Sequence, residues 1–217
     1  MYTVKELFPT LQGEGAQAGR AAIFCRFTGC NLWSGREEDR SSAVCQFCDT
    51  DFVGTDGDGG GKFVSATQLA DAIEKSWLST LAGPQQRYVV FTGGEPLLQL
   101  DKPLIDALHS KEFMVAIETN GTIKVPAGVD WVCVSPKAGS ELVVLQADEI
   151  KLVIPQAGHD QLESLLARFE NMDYRNRFLQ PMDGLNAKEN MALSVGLCQK
   201  RPLWRLSVQT HKMIGIR

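Results

Sequence analysis

"RYVVFTGGEPLLQLDKPLIDALHSKEFMVAIETNG", residues 87–121, holds the pattern that decides the fold. Two short apolar runs rich in Val, Ile and Phe, "RYVVFTGG" at 87–94 and "FMVAIETNG" at 113–121, flank "PLLQLDKPLIDALHSK" at 96–111, which reads as a helix. Continuous apolar runs of this length read as fully buried strands. Similar runs stand on either side: "AAIFCRFTG" at 21–29 before it, then "WVCVSPK" at 131–137, "EIKLVIP" at 149–155, "FLQPM" at 178–182 and "LWRLSVQTH" at 203–211. Helical segments with start signals lie between several of them. Ser65 and Gln68 form a capping-box pattern ahead of Leu69, Ala72, Ile73 and Trp77. Asp160 with Glu163 opens a segment carrying Leu162, Leu165, Leu166 and Phe169, and Asn186 with Glu189 opens one carrying Met191 and Val195.

Strands that alternate with helices imply parallel βαβ units, in a doubly wound sheet or in a complete or partial α/β barrel. The alternation alone does not choose. Polar residues repeatedly end the apolar runs, as in Thr92-Gly93-Gly94-Glu95, Glu118-Thr119-Asn120, Ser135-Pro136-Lys137 and Gln180-Pro181-Met182-Asp183. Such residues gather at the C-terminal rim of a barrel, where barrel enzymes place their sites, and this leans the reading toward a barrel. The Gly-rich "GTDGDGGGK" at 54–62 reads as a flexible loop before the first helix. With no internal repeat or domain-scale linker, residues 1–217 are expected to form one domain.

Hydrophobic residues at 44% and charged residues at 22% describe an ordinary soluble chain, and a formal charge of -4 argues against a polyanion-binding surface, so no direct nucleic-acid partner is expected. The first residues, "MYTVKELFPTLQGEG", lack a basic region followed by an apolar one, and no apolar run approaches the ~18 residues of a membrane span. A cytoplasmic location away from membranes is therefore expected. There cysteines stay reduced, and a close group of them holds metal or does chemistry more often than it forms disulfides. Cys25 and Cys133 sit inside apolar runs and Cys198 inside a helical segment, positions suited to buried, inert thiols. Cys30, Cys45 and Cys48 remain, separated by fourteen and then two residues in "CNLWSGREEDRSSAVCQFCDT" at 30–50. A structural zinc site would need a fourth ligand, and His109, His159 and His211 lie far along the chain. Three cysteines on a four-iron cluster leave one iron open for another ligand, which suits catalysis better than electron transfer. A thioredoxin-like redox pair is a weaker fit, because Cys45-Gln46-Phe47-Cys48 is not set between a strand and a helix start.

Three cysteines after the first apolar run, Phe47 just before the last of them, and "GGEP" at 93–96 resemble the radical S-adenosylmethionine superfamily. The superfamily's usual spacing is three residues and then two; the fourteen-then-two spacing here is shared by a subset of 7-carboxy-7-deazaguanine synthases. The resemblance runs through "LQGEG" at 11–15, "FCRFTGCNLW" at 24–33, "CDTDF" at 48–52, "TGGEP" at 92–96, "ETNGT" at 118–122, "SPK" at 135–137, "QPMD" at 180–183 and "QTHK" at 209–212. It implies a shortened or partial TIM-like (β/α) barrel with a modified cluster-binding loop, and a homodimer served by an external reductant such as flavodoxin or ferredoxin. The implied reaction is a ring contraction of 6-carboxy-5,6,7,8-tetrahydropterin to 7-carboxy-7-deazaguanine with loss of ammonia, on the route to queuosine and other 7-deazapurines. That is a carbon–nitrogen lyase requiring Mg²⁺, a 4Fe-4S cluster and S-adenosylmethionine.

The same resemblance assigns residues. Cys30, Cys45 and Cys48 would hold the cluster and Thr50 the Mg²⁺, with Phe47 and Asp49 supporting them. Thr92, Gly93, Gly94 and Glu95 would meet the methionine amino group, the two glycines by letting backbone come close and Glu95 as an ammonium acceptor. Glu118, Ser135 and Lys137 would bind the ribose and the methionine carboxylate, and Pro181 would lie by the adenine. Gln12, Gly13 and Glu14 offer a carboxamide and a carboxylate to the donor–acceptor edge of a pterin. Arg26 could pair with the substrate carboxylate. His211 and the carboxylate at Arg217 complete the expected pocket. No side chain is singled out as a catalytic acid or base, since the cofactor carries the radical chemistry.

Overall fold

The computed structural model describes residues 1–80, 86–156 and 159–217. Its strands are β1 (Tyr2–Leu11), β2 (Ala21–Phe27), β3 (Gly61–Phe63), β4 (Tyr88–Gly93), β5 (Met114–Thr119), β6 (Trp131–Val134), β7 (Gln146–Ile154), β8 (Asp173–Pro181) and β9 (Arg205–Leu206). Its helices are α1 (Ala66–Thr80), α2 (Lys102–His109), α3 (His159–Glu170), α4 (Ala187–Lys200) and α5 (Thr210–Ile214). The strands form one sheet in the order β3-β1-β2-β4-β5-β6-β7-β8-β9. From β2 through β9 neighbours run parallel, while β1 pairs antiparallel with both β2 and β3. The sheet does not close, so the fold is a partial barrel.

Helix positions settle the choice that the sequence left open. Leu69, Ile73, Leu104 and Leu108 of α1 and α2 pack on Ile23, Val89, Phe91, Val115 and Ile117, and Leu162 and Leu166 of α3 with Leu197 of α4 pack on Ile150, Leu152 and Leu179. All of this lies on one face. A doubly wound sheet would be covered on both; here the other face carries a small layer of Ala22, Tyr88, Val90 and Ala116, with polar side chains above it. Each fully buried Leu or Ile on the covered face contributes roughly 1.5–3 kcal/mol. No helix of the described residues is long and apolar enough to cross a membrane.

Local signals fared unevenly. The Ser65 hydroxyl accepts from Gln68 N at 3.1 Å while the Gln68 carboxamide accepts from Val64 N at 2.7 Å, a capping box displaced by one residue. Segment 96–111 is one short 3-10 turn, Pro96–Leu98, followed by α2, which Asp101 caps through Leu104 N at 3.1 Å. Asn186 precedes α4 but makes no side-chain cap, and the Asp160 signal lies outside the described side chains. Three expectations need correction. Residues 2–11, where no strand was expected, form β1, whose pattern of apolar and charged residues is irregular because of a register shift between Val4 and Glu6. The Gly-rich loop is laid along β1, with Leu7 N donating to Asp58 O at 2.7 Å and Gly57 N to Lys5 O at 3.0 Å, and its last two residues, Gly61 and Lys62, begin β3. Of "LWRLSVQTH" only Arg205 and Leu206 pair, and both are exposed; the remainder turns into α5.

Candidate active site

The polar face of the sheet and the segment 30–50 enclose a cavity of about 490 Å³. Its lining includes Cys30, Cys45, Cys48 and Thr50 from that segment; Arg26, Thr92, Glu118, Ser135, Lys137 and Pro181 from strands or their ends; and Gln12, Gly13, Glu14, His211 and Arg217 from the two ends of the chain. The polar strand-end residues do gather at one rim. Phe47, Asp49, Gly93 and Gly94 also line it, and Glu95 does not.

Segment 30–50 folds back on itself. Trp33 is buried, meets Phe52 edge-on at 5.5 Å between ring centroids, and lies under the Arg40 guanidinium at 4.2 Å. Arg40 also donates to Gln46 O at 2.9 Å and Cys48 O at 3.1 Å, and pairs with Glu37. The charged turn at 36–40 is thus only partly solvated, since Arg40 clamps the Cys-x-x-Cys turn. Cys45 and Cys48 share a hydrogen bond that holds the Cys48 thiol down at about 6 despite burial, while the same bond and burial push Cys45 up. Burial also raises Cys30, against two backbone N–H groups that favour its thiolate. Among the described residues no three His, Cys, Asp or Glu side chains converge as a single metal ion would need. Three thiols spread around one cavity suit a cluster in which each thiolate binds a different iron. Beside them, Asp49 and Thr50 offer the hard oxygen donors that Mg²⁺ prefers.

The glycines of "GGEP" have a reason inside the protein. A Cβ on Gly93, whose φ is +133°, would meet Phe27 O at 2.2 Å, and one on Gly94 would meet Gly29 O at 2.1 Å and the Cys30 Cβ at 2.7 Å. Absent side chains here let the end of β4 close against the chain leading to Cys30. Glu95 lies behind the cavity wall with no exposure. Its carboxylate accepts from Leu97 N at 3.0 Å, Thr119 Oγ1 at 2.7 Å and Asn120 N at 2.8 Å. A buried carboxylate requires such partners, and burial still raises its pKa. In this structure Glu95 therefore joins two strand-end loops, where an ammonium acceptor was expected. Lys137 donates to Ser135 O and Oγ, both at 2.7 Å, and burial lowers its pKa.

Across the cavity, Gln12 Nε2 donates to Glu118 Oε1 at 2.9 Å and its own carbonyl accepts from Glu14 N at 3.1 Å. Arg26 faces inward with Nε on Glu6 Oε1 at 2.7 Å, leaving its terminal nitrogens without a hydrogen-bond partner among the described residues. Gly13 O accepts from Thr210 N at 3.0 Å and Oγ1 at 2.7 Å, which seats α5 and packs His211 against Gly13, where a Cβ would lie 2.0 Å from Nδ1. At Arg217, which lines the cavity, one backbone oxygen accepts from Thr10 Oγ1 at 2.5 Å. Its guanidinium bridges Glu6 and Asp58, each at 2.6 Å.

Three comparisons bear on this arrangement. A protein named 7-carboxy-7-deazaguanine synthase from Caulobacter vibrioides is 58% identical over 99% of this chain and 99% of its own length. One of the same name from Bordetella pertussis is 59% identical over 99% of both. This chain belongs to the 7-carboxy-7-deazaguanine synthase family. The crystal structure of QueE from Escherichia coli superposes with a TM-score of 0.71 at 31% identity, covering 97% of this chain and 94% of that one. No protein-family model matches.

Within this synthase-family chain, several polar residues of the site escaped sequence reading. Lys151, 3% exposed, pairs with Glu14 and, at 2.8 Å, with Glu118. Glu149 accepts from Ala16 N at 2.8 Å and contacts the Cys133 thiol at 3.4 Å, so Cys133 faces the polar side of the sheet. Lys212 bridges Asp49 at 2.9 Å and Asp183 at 2.6 Å, joining α5 to the cysteine segment. One signal was available: "DEIKLV" at 148–153 places Glu149 and Lys151 on the same face of a strand, opposite Ile150 and Leu152.

Proposed function

We propose that this enzyme converts 6-carboxy-5,6,7,8-tetrahydropterin to 7-carboxy-7-deazaguanine with loss of ammonia, as a radical S-adenosylmethionine lyase acting as a homodimer with an external flavodoxin or ferredoxin as reductant. The observation that carries the reading is that one cavity is shared by Cys30, Cys45 and Cys48 on one wall and Gln12, Glu14, Arg26 and His211 on the other. Cys30, Cys45 and Cys48 hold the cluster as thiolates; Thr50, with Asp49 beside it, holds Mg²⁺; Thr92, Gly93, Gly94, Glu118, Ser135, Lys137 and Pro181 line the space for S-adenosylmethionine. When bound, these groups supply one-electron cleavage of the sulfonium, hydrogen abstraction at C6 of the pterin and charge neutralisation at its carboxylate. Gln12 and Glu14 bind the donor–acceptor edge of the pterin. Arg26, its plane fixed by Glu6, directs its free nitrogens at the substrate carboxylate. His211, seated against Gly13 by the bonds of Thr210, and Arg217, tied to Glu6 and Asp58, contact the substrate.

The test is anaerobic reconstitution followed by iron and sulfide analysis and mass spectrometry of products. Wild-type protein with the carboxytetrahydropterin, S-adenosylmethionine, Mg²⁺ and reductant should give 7-carboxy-7-deazaguanine, and Cys48→Ala should cleave no S-adenosylmethionine. Deoxyadenosine formed only with a partner protein would move the chain to another radical enzyme. Bound zinc without acid-labile sulfide would point to a binding module.

A further inference from the structure

The turn that carries Gln12 and Glu14 joins β1 to β2 and is closed at its stem by its own backbone, with Gln12 N donating to Arg20 O at 2.8 Å and Gly19 N to Gln12 O at 2.7 Å. Its tip is held by side chains of other elements. Ala16 N donates to Glu149 Oε2 at 2.8 Å and Gly15 N to Ser207 Oγ at 3.0 Å. Gly15 has a φ of +65°, and a Cβ there would fall onto the Glu149 carboxylate, so turn and carboxylate touch directly. Glu149 is 3% exposed and does not line the large cavity. It lies beneath the turn instead, beside a space of about 10 Å³ that it shares with Gln12, Glu14 and Tyr88. Burying a carboxylate is costly unless partners meet it, and here Ala16 N meets one oxygen while the Cys133 thiol lies 3.4 Å from the other. Burial raises the Glu149 pKa, yet an oxygen stays free to accept from Ala16 N in either protonation state.

We propose that Glu149 is a positioning residue for substrate recognition: by accepting from Ala16 N it fixes the turn where Gln12 and Glu14 read the amino and N–H edge of a pterin or deazaguanine. The inference rests on the proposed function, because it takes Gln12 and Glu14 as the groups that meet this edge. What it requires of position 149 is reach, not charge. The backbone there is set by pairing of β7 with both β6 and β8, so a shorter side chain cannot follow the turn.

The experiment uses the anaerobic holoenzyme with Mg²⁺ and measures by calorimetry the binding of two stable ligands, 7-carboxy-7-deazaguanine and its analogue without the 2-amino group, 7-carboxy-7-deazahypoxanthine. Wild type should prefer the first by about tenfold or more, the worth of one well-placed hydrogen bond. Glu149→Asp keeps the carboxylate but stops one carbon short of Ala16 N, and should lower that preference to about threefold or less. Glu149→Gln keeps the reach and gives up the charge, and should hold the preference within about twofold of wild type. Affinity for S-adenosylmethionine should be unchanged in both variants, which a general loosening of the site would not allow. A preference kept by Glu149→Asp, a preference lost by Glu149→Gln, or a matching loss of S-adenosylmethionine affinity overturns the proposal. Should Glu149→Asp fail to fold, Glu149→Gln and amide exchange of ligand-free wild type decide. The Ala16 amide should exchange at least about tenfold more slowly than in an unstructured peptide, and an unprotected amide overturns the proposal. Wild type that binds neither ligand, or both alike, would instead overturn the pterin reading itself, and this inference with it.

Discussion

The wall carrying Cys30, Cys45 and Cys48 and the wall carrying Arg26, Glu118 and Lys151 face one cavity but are held in different ways. Within the first most contacts are local: Trp33 Nε1 to Arg36 O spans three residues and Arg40 to Cys48 O spans eight, while Asn31 to Thr122 and Asp49 to Lys212 tie its ends to the rest of the fold. Those of the second cross the chain, with Gln12 and Glu118 separated by 106 positions and Glu14 and Lys151 by 137. A local clamp can loosen without disturbing the sheet, whereas a charge network that spans β5, β7 and the chain after β1 is part of the fold. Under the proposed function, the wall that would admit a cluster gains from the first arrangement, and the one that would present fixed donors and acceptors gains from the second.

The strongest perturbation strikes where the walls join. Gly93→Val puts a β-branched side chain at a φ of +133° and a Cβ 2.2 Å from Phe27 O, so both walls should fail together, with a stability loss of about 4 kcal/mol or more or no soluble protein. A urea midpoint equal to wild type would show that the junction is not shared. Next comes a break in the sheet wall alone. Glu118→Ala takes one of two partners from Gln12 and one of two from Lys151 in a largely enclosed face, and Glu14 still balances the ammonium, so a loss of about 2 kcal/mol is expected in the same assay.

The loop wall should respond differently. Arg40→Ala removes a contact over Trp33 and two bonds to carbonyls, on a side chain still 28% exposed, so global stability should change by no more than about 1 kcal/mol. Amide exchange in residues 41–48 should nevertheless rise, and the reconstituted protein should retain less iron. An iron content and exchange pattern identical to wild type would mean that the turn holds its shape without the clamp.

The same contrast explains what could be read from the sequence. Parallel βαβ order, the rim of strand-end polar residues and the cysteine trio are patterns within short windows, and each has a direct physical rule. The family motifs carried most of the remaining site assignments. Lys151 and Glu149 are illegible as partners of Glu14 and Ala16 because the pairing depends on how β7 faces the chain after β1, which no window contains. Glu95 shows the opposite case. Its motif neighbours line the cavity, but one more residue along the chain takes the carboxylate behind the wall, where Thr119 and Asn120 receive it. The barrel was favoured over the doubly wound sheet by polar strand ends, yet only the placement of α1 to α4 on one face decides it.

The smallest effect expected leaves stability untouched and reads the loop wall by its chemistry. The Cys45 thiol donates to Cys48, and this bond, aided by a Thr50 backbone N–H and the Lys137 ammonium, outweighs burial and holds Cys48 at about 6. Alkylation by iodoacetamide requires the thiolate, so one fast-reacting cysteine should be labelled at pH 7, its rate rising through a midpoint near that value and levelling above it. Cys45→Ala removes the donor while leaving the burial, which moves the Cys48 midpoint up toward the ordinary 9.0 and slows labelling at pH 7. Arg40→Ala should share part of this change if the clamp sets the distance between the two sulfurs, and none of it if the turn is rigid by itself. Lys151→Met, on the other wall, should leave the labelling profile where it was. A profile that moved with Lys151 would mean the two walls are electrostatically one, contrary to the separation drawn from their contacts.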